Sequence, residues 1–360
     1  MNQRPKPTDE SKLTREISDG IALHEKAEFM ASLPAGPFVR LDNGNILSVA
    51  GNPAQGYLSD DEGATWRTRP LFPTDNQRAA GPTGALLRTA AGTVILGFPN
   101  VEEKHWAWRD ELRDAPGARL PTYAMRSLDG GETWQDLQKL HDEWTGATRD
   151  ILQTRDGRIV FTSMKMRHHP GRHTVLTYYS EDDGTTWKAS NIIDLGGNGH
   201  HDGVTEGTIV ALKDGRLLQY ARTNWGQFWR IISADGGGSW HPYGPSGIEA
   251  SSAPGMLKRL VSGRIVLLWN RPYPEGKSSH PFRGGHGIWS ATPASNFREE
   301  LSIRFSGDDC ESWSSPMVVA RNPGGEVSYP YVFEPEPGVL WITAHRWGLR
   351  LRLREEDFIR

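Results

Sequence analysis

One short pattern occurs five times along the chain and constrains the fold more than any other feature. Each copy, called a box below, reads S-x-D-x-G-x-[TS]-W, except that the last has Cys310 in the glycine position. The boxes occupy residues 59–66, 127–134, 180–187, 233–240 and 306–313. A pattern that recurs every few tens of residues is typical of a repeat architecture, in which each repeat is one supersecondary unit. We therefore predict an array of similar units.

Hairpin-like segments form a second repeat. Each has apolar residues on both sides of a turn glycine, and the six glycines are Gly44, Gly92, Gly157, Gly215, Gly263 and Gly338. Such segments predict two strands joined by a tight turn, because glycine adopts the positive φ that hairpin turns require. A box follows each of the first five. Six four-stranded antiparallel sheets arranged radially are the simplest arrangement, so the sequence predicts an all-β fold, a six-bladed β-propeller in one domain over residues 1–360.

The N-terminal region is predicted to close the ring. We interpret residues 1–20 as a flexible segment, and residues 21–30 as the missing outer strand of the last blade, next to residues 349–353. That pairing would leave no open sheet edge. Two long insertions, residues 99–123 and 271–297, separate hairpin from box in the second and fifth units. Loops of that length usually rim a binding surface.

Composition limits the binding partners and the cellular location that we expect. A formal net charge of −3 gives no broad electrostatic reason to bind nucleic acid or an acidic membrane. The single Cys310 excludes an internal disulfide framework. The first residues lack an apolar signal region, and no stretch approaches 18 apolar residues. We expect a cytoplasmic location for the chain as written, or a secreted or periplasmic one if a leader has been removed. The oligomeric state stays open.

Neither the boxes nor the histidines predict a metal site. A motif present once per blade suits a structural turn, in which Asp accepts backbone N–H bonds and Trp packs over the blade. His168 and His169 lie beside Pro170 without the Cys or close acidic partners that complete a metal site. No cofactor is expected.

Function is therefore sought where the six units differ. In a propeller the innermost strand of each blade begins near the central axis, so the residues at its start converge on one pocket. Nine positions before each hairpin glycine the chain has Ala35, Thr83, Thr148, Glu206, Pro254 and Tyr329. Only Glu206 and Tyr329 carry reactive groups.

With these features the chain resembles the sialidase (neuraminidase) superfamily over almost its full length, and the boxes are similar to its Asp boxes. Residues 205–222 are similar to the segment with a catalytic Glu and a carboxylate-binding Arg, and residues 328–329 to the segment with a nucleophilic Tyr. The resemblance implies an exo-acting glycoside hydrolase for a terminal acidic sugar, sialic acid or a relative. Tyr329 would be the nucleophile, Glu206 would activate it, and Arg222 and Arg298 would bind the sugar carboxylate.

The chain departs from the family in its first blade. Where the family has an Arg this chain has Ala35, and the loop of residues 48–56, which should supply an acid/base Asp, contains none. Other residues near the starts of blades three, four and five could replace the missing Arg and the missing acid/base Asp. The candidates are Asp150 and His201 as catalytic acids, and Arg149, Arg271 and Asp202 as substrate-binding residues.

Two alternatives stay open because of these departures. The first is a glycosidase or lyase for another acidic saccharide, with His201 or Asp150 as its acid. The second is a propeller that binds glycans without catalysis.

Overall fold

The six blades predicted from the repeats are present in a computed structural model that describes residues 13–17, 20–72, 77–345 and 348–359. Each blade is a four-stranded antiparallel sheet. The strands of blades one to three are Phe38–Arg40, Ile46–Gly51, Ala54–Ser59 and Arg67–Arg69; Ala85–Arg88, Val94–Pro99, Arg119–Ser127 and Gln135–Glu143; Ile151–Gln153, Ile159–Arg167, Arg172–Ser180 and Lys188–Ala189. Those of blades four to six are Val204–Ala211, Leu217–Thr223, Gln227–Ser233 and Tyr243–Glu249; Met256–Arg259, Ile265–Trp269, Glu300–Ser306 and Met317–Arg321; Pro330–Glu336, Val339–Ala344, Arg350–Arg354 and Glu28–Phe29.

The first strands of the blades form a closed ring. Each contacts the first strand of the next blade, and that of blade six contacts that of blade one. A hydrogen bond joins two of the predicted axial positions, since Thr148 Oγ1 donates to the Thr83 carbonyl at 2.6 Å. The starts of the inner strands therefore converge, as the spacing of the hairpins predicts.

The N-terminal region closes the fold differently from the prediction. Glu28–Phe29 pairs with Arg350–Arg354 and completes blade six, as expected. Ile21–His24 instead pairs with Met317–Arg321 on the outer edge of blade five, and Leu13–Ile17 adds a further strand beside it. Thus part of the N-terminal segment predicted to be flexible forms a strand, while residues 1–12, 18 and 19 lie outside the described residues.

The boxes are hydrogen-bonded turns. In the first, Gly63 N donates to Ser59 Oγ at 2.8 Å, and the backbone and hydroxyl of Thr65 donate to the Asp61 carboxylate at 2.9 and 2.6 Å. The other four boxes repeat the serine and aspartate contacts. Every aspartate is thus engaged by its own turn, which agrees with a structural role.

The box glycines also set the spacing between blades. A Cβ on Gly237 of blade four would lie 2.8 Å from both methyl groups of Val160 in blade three. Gly63, Gly131 and Gly184 face the preceding blade in the same way. Cys310 keeps the turn with a φ of 71° and is buried, so the fifth box accommodates a side chain that the others exclude.

We expect Gly237→Ala to destabilise the protein by about 1–3 kcal/mol more than Gly157→Ala, because overpacking against a β-branched residue costs roughly that much. The two glycines have almost the same φ, 89° and 91°, but nothing lies within 4 Å of a Cβ built on Gly157. Both variants therefore carry the backbone strain, and only Gly237→Ala meets the neighbouring blade. Urea unfolding measures the two free energies, and equal losses would contradict the inter-blade contact.

Short helical turns lie at Val101–Glu103 and Glu355–Asp357. In the portion of the chain that the structure describes, no helix has the length and apolar character needed to cross a lipid bilayer. The insertion in blade five adds a small hairpin, Phe282–Arg283 with Ala294–Ser295.

Candidate functional site

A cavity of about 870 Å³ opens at the end of the propeller where the inner strands of blades four and six begin. Its floor contains Glu206, Arg222 and Tyr329, three of the residues singled out from the sequence. Its remaining lining residues come chiefly from the loops of blades two to five: Lys104, Trp106, Trp108, Asp110, Trp144, Gly146, Met164, His173, His200, His201, Thr205 and Ile288. This volume falls within the range of about 300–1,000 Å³ that is usual for ligand pockets.

Glu206 and Tyr329 have unusual backbone conformations. Their φ angles are 36° and 61°, in the left-handed region that non-glycine residues rarely adopt. At Glu206 the register between the first two strands of blade four shifts, so that Thr205 faces Arg222 and Gly207 faces Ala221. Glu206 is thus the extra residue of a β-bulge, a feature that re-aims a side chain. Strained conformations of this kind cluster at functional sites.

Glu206 and Arg222 form a buried ion pair. Arg222 Nη1 donates to Glu206 Oε2 at 2.6 Å, and both side chains are less than 10% exposed. Burial by itself would raise the pKa of the Glu206 carboxyl, but the charge and hydrogen bond of Arg222, with help from Arg149 and Arg298, outweigh it and hold that pKa below its ordinary value. Glu206 is therefore a carboxylate at neutral pH.

The hydroxyl of Tyr329 lies beside this pair. Arg222 Nη1 is 3.5 Å from Tyr329 Oη, and the guanidinium groups of Arg149 and Arg298 lie 5.4 and 5.6 Å from the centre of the Tyr329 ring. Burial raises the pKa of Tyr329, as do the charge of Glu206 and its hydrogen bond with the phenol, while Arg222 and Arg298 act in the opposite direction. The phenol is thus protonated at rest, with a carboxylate beside it to accept the proton.

Ser252 connects the two arginines that the sequence singled out. Its Oγ accepts from Arg222 Nε and Nη2 at 3.1 and 3.0 Å and donates to Asn224 Oδ1, while its carbonyl accepts from Arg298 Nη2 at 2.6 Å. Arg298 is also held by Glu326 at 2.9 Å. Ser252 has no counterpart in the repeat pattern, so sequence reasoning missed it.

Arg149 lies behind Tyr329 and does not line the cavity. It is 1% exposed, its Nη2 donates to the Pro330 carbonyl at 2.7 Å, and its guanidinium stacks 4.6 Å from the centre of the Tyr331 ring. Among the described residues, its Nε and Nη1 atoms have no hydrogen-bond partner. Arg149 is therefore a buried positive charge that faces the Tyr329 ring and lowers the pKa of Glu206.

Four other predicted residues do not line the cavity. Arg298 lies beside the Tyr329 ring without being part of the lining. Asp150 is buried between blades three and four, where Thr208 Oγ1 and Ile209 N donate to its Oδ2; burial raises its pKa to about 6. Asp202 accepts backbone N–H bonds from residues 198, 203 and 291. Arg271 binds Ser302 Oγ and lines a separate depression beside blade five.

His201 does line the cavity, in a row of three histidines. Desolvation, together with Arg222 and the neighbouring His200 and His173, holds the pKa of His201 well below its ordinary value. His200 and His201 are in contact through their Nδ1 atoms, and His173 Nε2 donates to the His200 carbonyl at 2.9 Å. His201 is therefore a neutral imidazole at physiological pH.

Backbone hydrogen bonds join the loops around the cavity. Gly171 N donates to the Arg113 carbonyl at 2.8 Å, and Gly199 N donates to the Gly171 carbonyl at 3.0 Å. His200 and His201 donate from their backbone to residues 288 and 289 of the blade-five insertion, each at 2.9 Å. Because a Cβ on Gly199 would lie 2.6 Å from the Ser290 Cα, that approach requires glycine.

His168 and His169 add to the hydrogen bonds between the loops around the cavity. His168 Nδ1 lies 2.8 Å from Asp114 Oδ1, and His169 N donates to Asp114 Oδ2 at 3.1 Å. These contacts join the blade-three hairpin to the blade-two insertion. They give the two histidines a structural part in shaping the rim.

Known proteins resemble the chain in sequence and in fold. A Micromonospora viridifaciens sialidase is 25% identical over 241 residues, which are 60% of this chain and 34% of that protein, so the chain spans about a third of that relative. A Dyadobacter fermentans protein of unknown function has a TM-score of 0.64 at 17% identity, covering 95% of this chain and all of that one. The Hadza microbial sialidase Hz136 has a TM-score of 0.63 at 15% identity, covering 91% of this chain and 66% of that one.

An arabinan-directed protein has the same fold. A Penicillium chrysogenum α-L-arabinanase has a TM-score of 0.57 at 13% identity, covering 92% of this chain and 96% of that one. These structural likenesses show the propeller alone. The family model described as a BNR repeat-like domain matches residues 57–342. With its Asp boxes, its six blades and this match, the chain belongs to the BNR repeat-like family of the sialidase superfamily.

Proposed function

We propose that this chain is an exo-acting glycoside hydrolase that removes a terminal acidic sugar, sialic acid or a close relative. The observation that carries this function is the meeting of Glu206, Arg222 and Tyr329 on the floor of one cavity, with a carboxylate and a phenol in contact with the same guanidinium. The sequence relationship to a protein named a sialidase supports it.

The charges on the floor favour an acidic sugar. Arg222 Nη1 lies 3.5 Å from the Tyr329 hydroxyl, and the Arg298 guanidinium lies 5.6 Å from the centre of the Tyr329 ring. Guanidinium groups bind carboxylates through paired N–H bonds. A carboxylate nucleophile would be repelled by a sugar that carries a carboxylate at its anomeric carbon. A neutral Tyr avoids that repulsion, and a Tyr nucleophile is the known exception among glycosidases.

The reaction follows from these positions. Glu206 takes the phenol proton while Tyr329 Oη attacks the anomeric carbon; the bond to the leaving oxygen breaks, and that oxygen receives a proton from an acid on the opposite side. Water then attacks the anomeric carbon, giving a proton to the deprotonated acid; the bond from that carbon to Tyr329 Oη breaks, and the phenol recovers its proton from Glu206. Two displacements give net retention of configuration.

We assign the acid role to Asp110. It lies on the cavity wall in the blade-two insertion, and its charge acts on the ring of His200. Asp150 is less suitable because Thr208 and Ile209 already occupy its carboxylate outside the cavity. His201, neutral because its pKa is lowered, is better suited to accept or donate a hydrogen bond to the substrate than to deliver a proton.

A substrate panel tests the function. We expect the wild-type protein to release 4-nitrophenol from 4-nitrophenyl α-sialoside and not from 4-nitrophenyl α-L-arabinofuranoside, because only the sialoside presents a carboxylate to Arg222 and Arg298. Proton NMR during turnover should show the α anomer of the free sugar first. Turnover of the arabinoside alone, or saturable sialoside binding without product, would refute the proposed function.

A further inference from the structure

The blade-two insertion presents alternate side chains to the cavity. His105 N donates to the Arg119 carbonyl and Arg119 N to the His105 carbonyl, both at 2.8 Å, so the chain at His105 is extended and bridges to the start of the third strand of its blade. Successive side chains of an extended chain point to opposite sides. Lys104, Trp106 and Trp108 accordingly line the cavity, whereas residues 105 and 107 do not; Asp110 lines it from the turn that follows.

Three tryptophans form a continuous surface, called the aromatic wall below: Trp106, Trp108 and Trp144. The Trp106 and Trp108 rings are nearly parallel, 18° apart, with centroids separated by 6.2 Å. That distance is close to the rise of about 6.6 Å over two residues of a strand, so the rings follow each other along the chain. Trp144 lies 4.4 Å from Trp106 at 46°.

The wall is preformed. All three indoles pack against a buried cluster of Ala115, Ala118 and Met166, yet each remains partly exposed to the cavity. Rings fixed in this way lose little conformational entropy when a ligand covers them.

The wall begins next to the acidic-sugar pocket and leads away from it. Trp108 meets the His200 ring edge to face at 5.5 Å, and His200 contacts His201, which lines the same cavity as Arg222. At the other end, Lys104 Nζ lies 5.9 Å from the centre of the Trp144 ring. The side-chain contacts therefore run from His201 and His200 to Trp108, then to Trp106, and then to Trp144 with Lys104.

This arrangement fits a second sugar ring. A pyranose has a face of C–H groups that can cover an indole, and hydroxyl groups at its edge that can bond to charged side chains such as Asp110 and Lys104. Resting on the proposed function, we propose that Trp106 and Trp108 form a leaving-group subsite, which binds the sugar to which the acidic residue is attached. The natural substrate is then an oligosaccharide whose leaving group is itself a sugar.

Two substrates with poor leaving groups of different size test the subsite: 3′-sialyllactose, which leaves a disaccharide, and methyl α-sialoside, which leaves only methanol. We expect Trp106→Ala to lower kcat/KM for sialyllactose about tenfold, which corresponds to one lost aromatic contact, and to leave the methyl sialoside within twofold. Trp134→Ala is the matched control, because Trp134 is a half-buried box tryptophan that does not line the cavity. It should leave the ratio of the two kcat/KM values unchanged.

Asp110→Asn separates stacking from proton donation. If Asp110 is the acid, its loss should lower turnover of both substrates, since both leaving groups need a proton, whereas the wall affects only the larger one. An equal effect of Trp106→Ala on both substrates would overturn the subsite and leave the proposed function intact. Failure of the wild-type protein to cleave either substrate would overturn both.

Discussion

Tyr329→Phe is expected to lower kcat for 4-nitrophenyl sialoside by about three orders of magnitude or more, as loss of a covalent nucleophile usually does. The substitution removes one oxygen atom, which lies 3.5 Å from Arg222 Nη1 and beside Glu206. Loss of one such contact costs only about 1 kcal/mol, so the variant should remain folded and keep its affinity for the sugar. Kinetics and thermal unfolding on the same preparation measure both effects.

Tyr331→Phe is the matched control. Tyr331 stacks on Arg149 and donates its hydroxyl to the Gly84 carbonyl at 3.0 Å, but it does not line the cavity. Loss of the Tyr331 hydroxyl should reduce stability, because a buried carbonyl loses its donor, and it should change kcat by less than tenfold.

A fluorinated sialosyl fluoride should label Tyr329 in the wild-type protein, as seen by peptide mass spectrometry. Activity within tenfold of wild type in Tyr329→Phe would remove this residue from the mechanism.

Glu206→Gln is expected to cost both stability and activity. The glutamine can still accept from Arg222, but the guanidinium, which is 5% exposed, is left without a counter-charge. Breaking a buried ion pair by neutralising one partner typically costs about 3–5 kcal/mol. Turnover should fall as well, because no carboxylate remains to take the Tyr329 proton. Urea unfolding at neutral pH and kinetics with an aryl sialoside provide the two measurements.

The stability difference should depend on pH in a defined direction. The folded-state pKa of Glu206 lies below its ordinary value of 4.5, so its stabilising contribution is fully present above about 4.5 and is lost as the pH falls through the folded-state pKa. The gap in the free energy of unfolding between wild type and Glu206→Gln should therefore shrink in acid. Glu62→Gln is the control. Glu62 pairs with Arg40, but its side chain is 68% exposed, and exposed ion pairs contribute at most about 1 kcal/mol to the free energy of unfolding. A gap as small as that of Glu62→Gln would contradict the ion-pair argument.

The blades were predictable because their determinants are local. A hairpin requires only a turn glycine and flanking apolar strands, and a box closes with hydrogen bonds between residues two to four positions apart, such as Ser59 and Gly63. The contact of Gly237 with Val160 was not predictable, because it depends on how two blades approach each other. The N-terminal strand shows the same limit: Ile21–His24 has the apolar pattern of an edge strand, but nothing local chooses between the edges of blades five and six.

The candidate site was predictable where the repeat fixed a position, nine residues before each hairpin glycine. Position in the blade singled out Glu206 and Tyr329, and the resemblance added Arg222 and Arg298; the structure places Glu206, Arg222 and Tyr329 in one cavity and Arg298 beside the Tyr329 ring, outside the lining. Proximity in sequence failed as a guide elsewhere. Asp202, only four residues from Glu206, turns away to hold backbone N–H groups.

The sequence by itself determined the number of blades, the turns that end them and the two reactive residues near the axis. The blades and turns follow from repeated patterns, and the two residues are positions at which one repeat differs from the others. Only the tertiary structure decided what surrounds those residues. The buried charge of Arg149, the link through Ser252 and the wall that carries Trp106 all depend on contacts between blades or between insertions. Such contacts join residues far apart in sequence, and no local pattern records them.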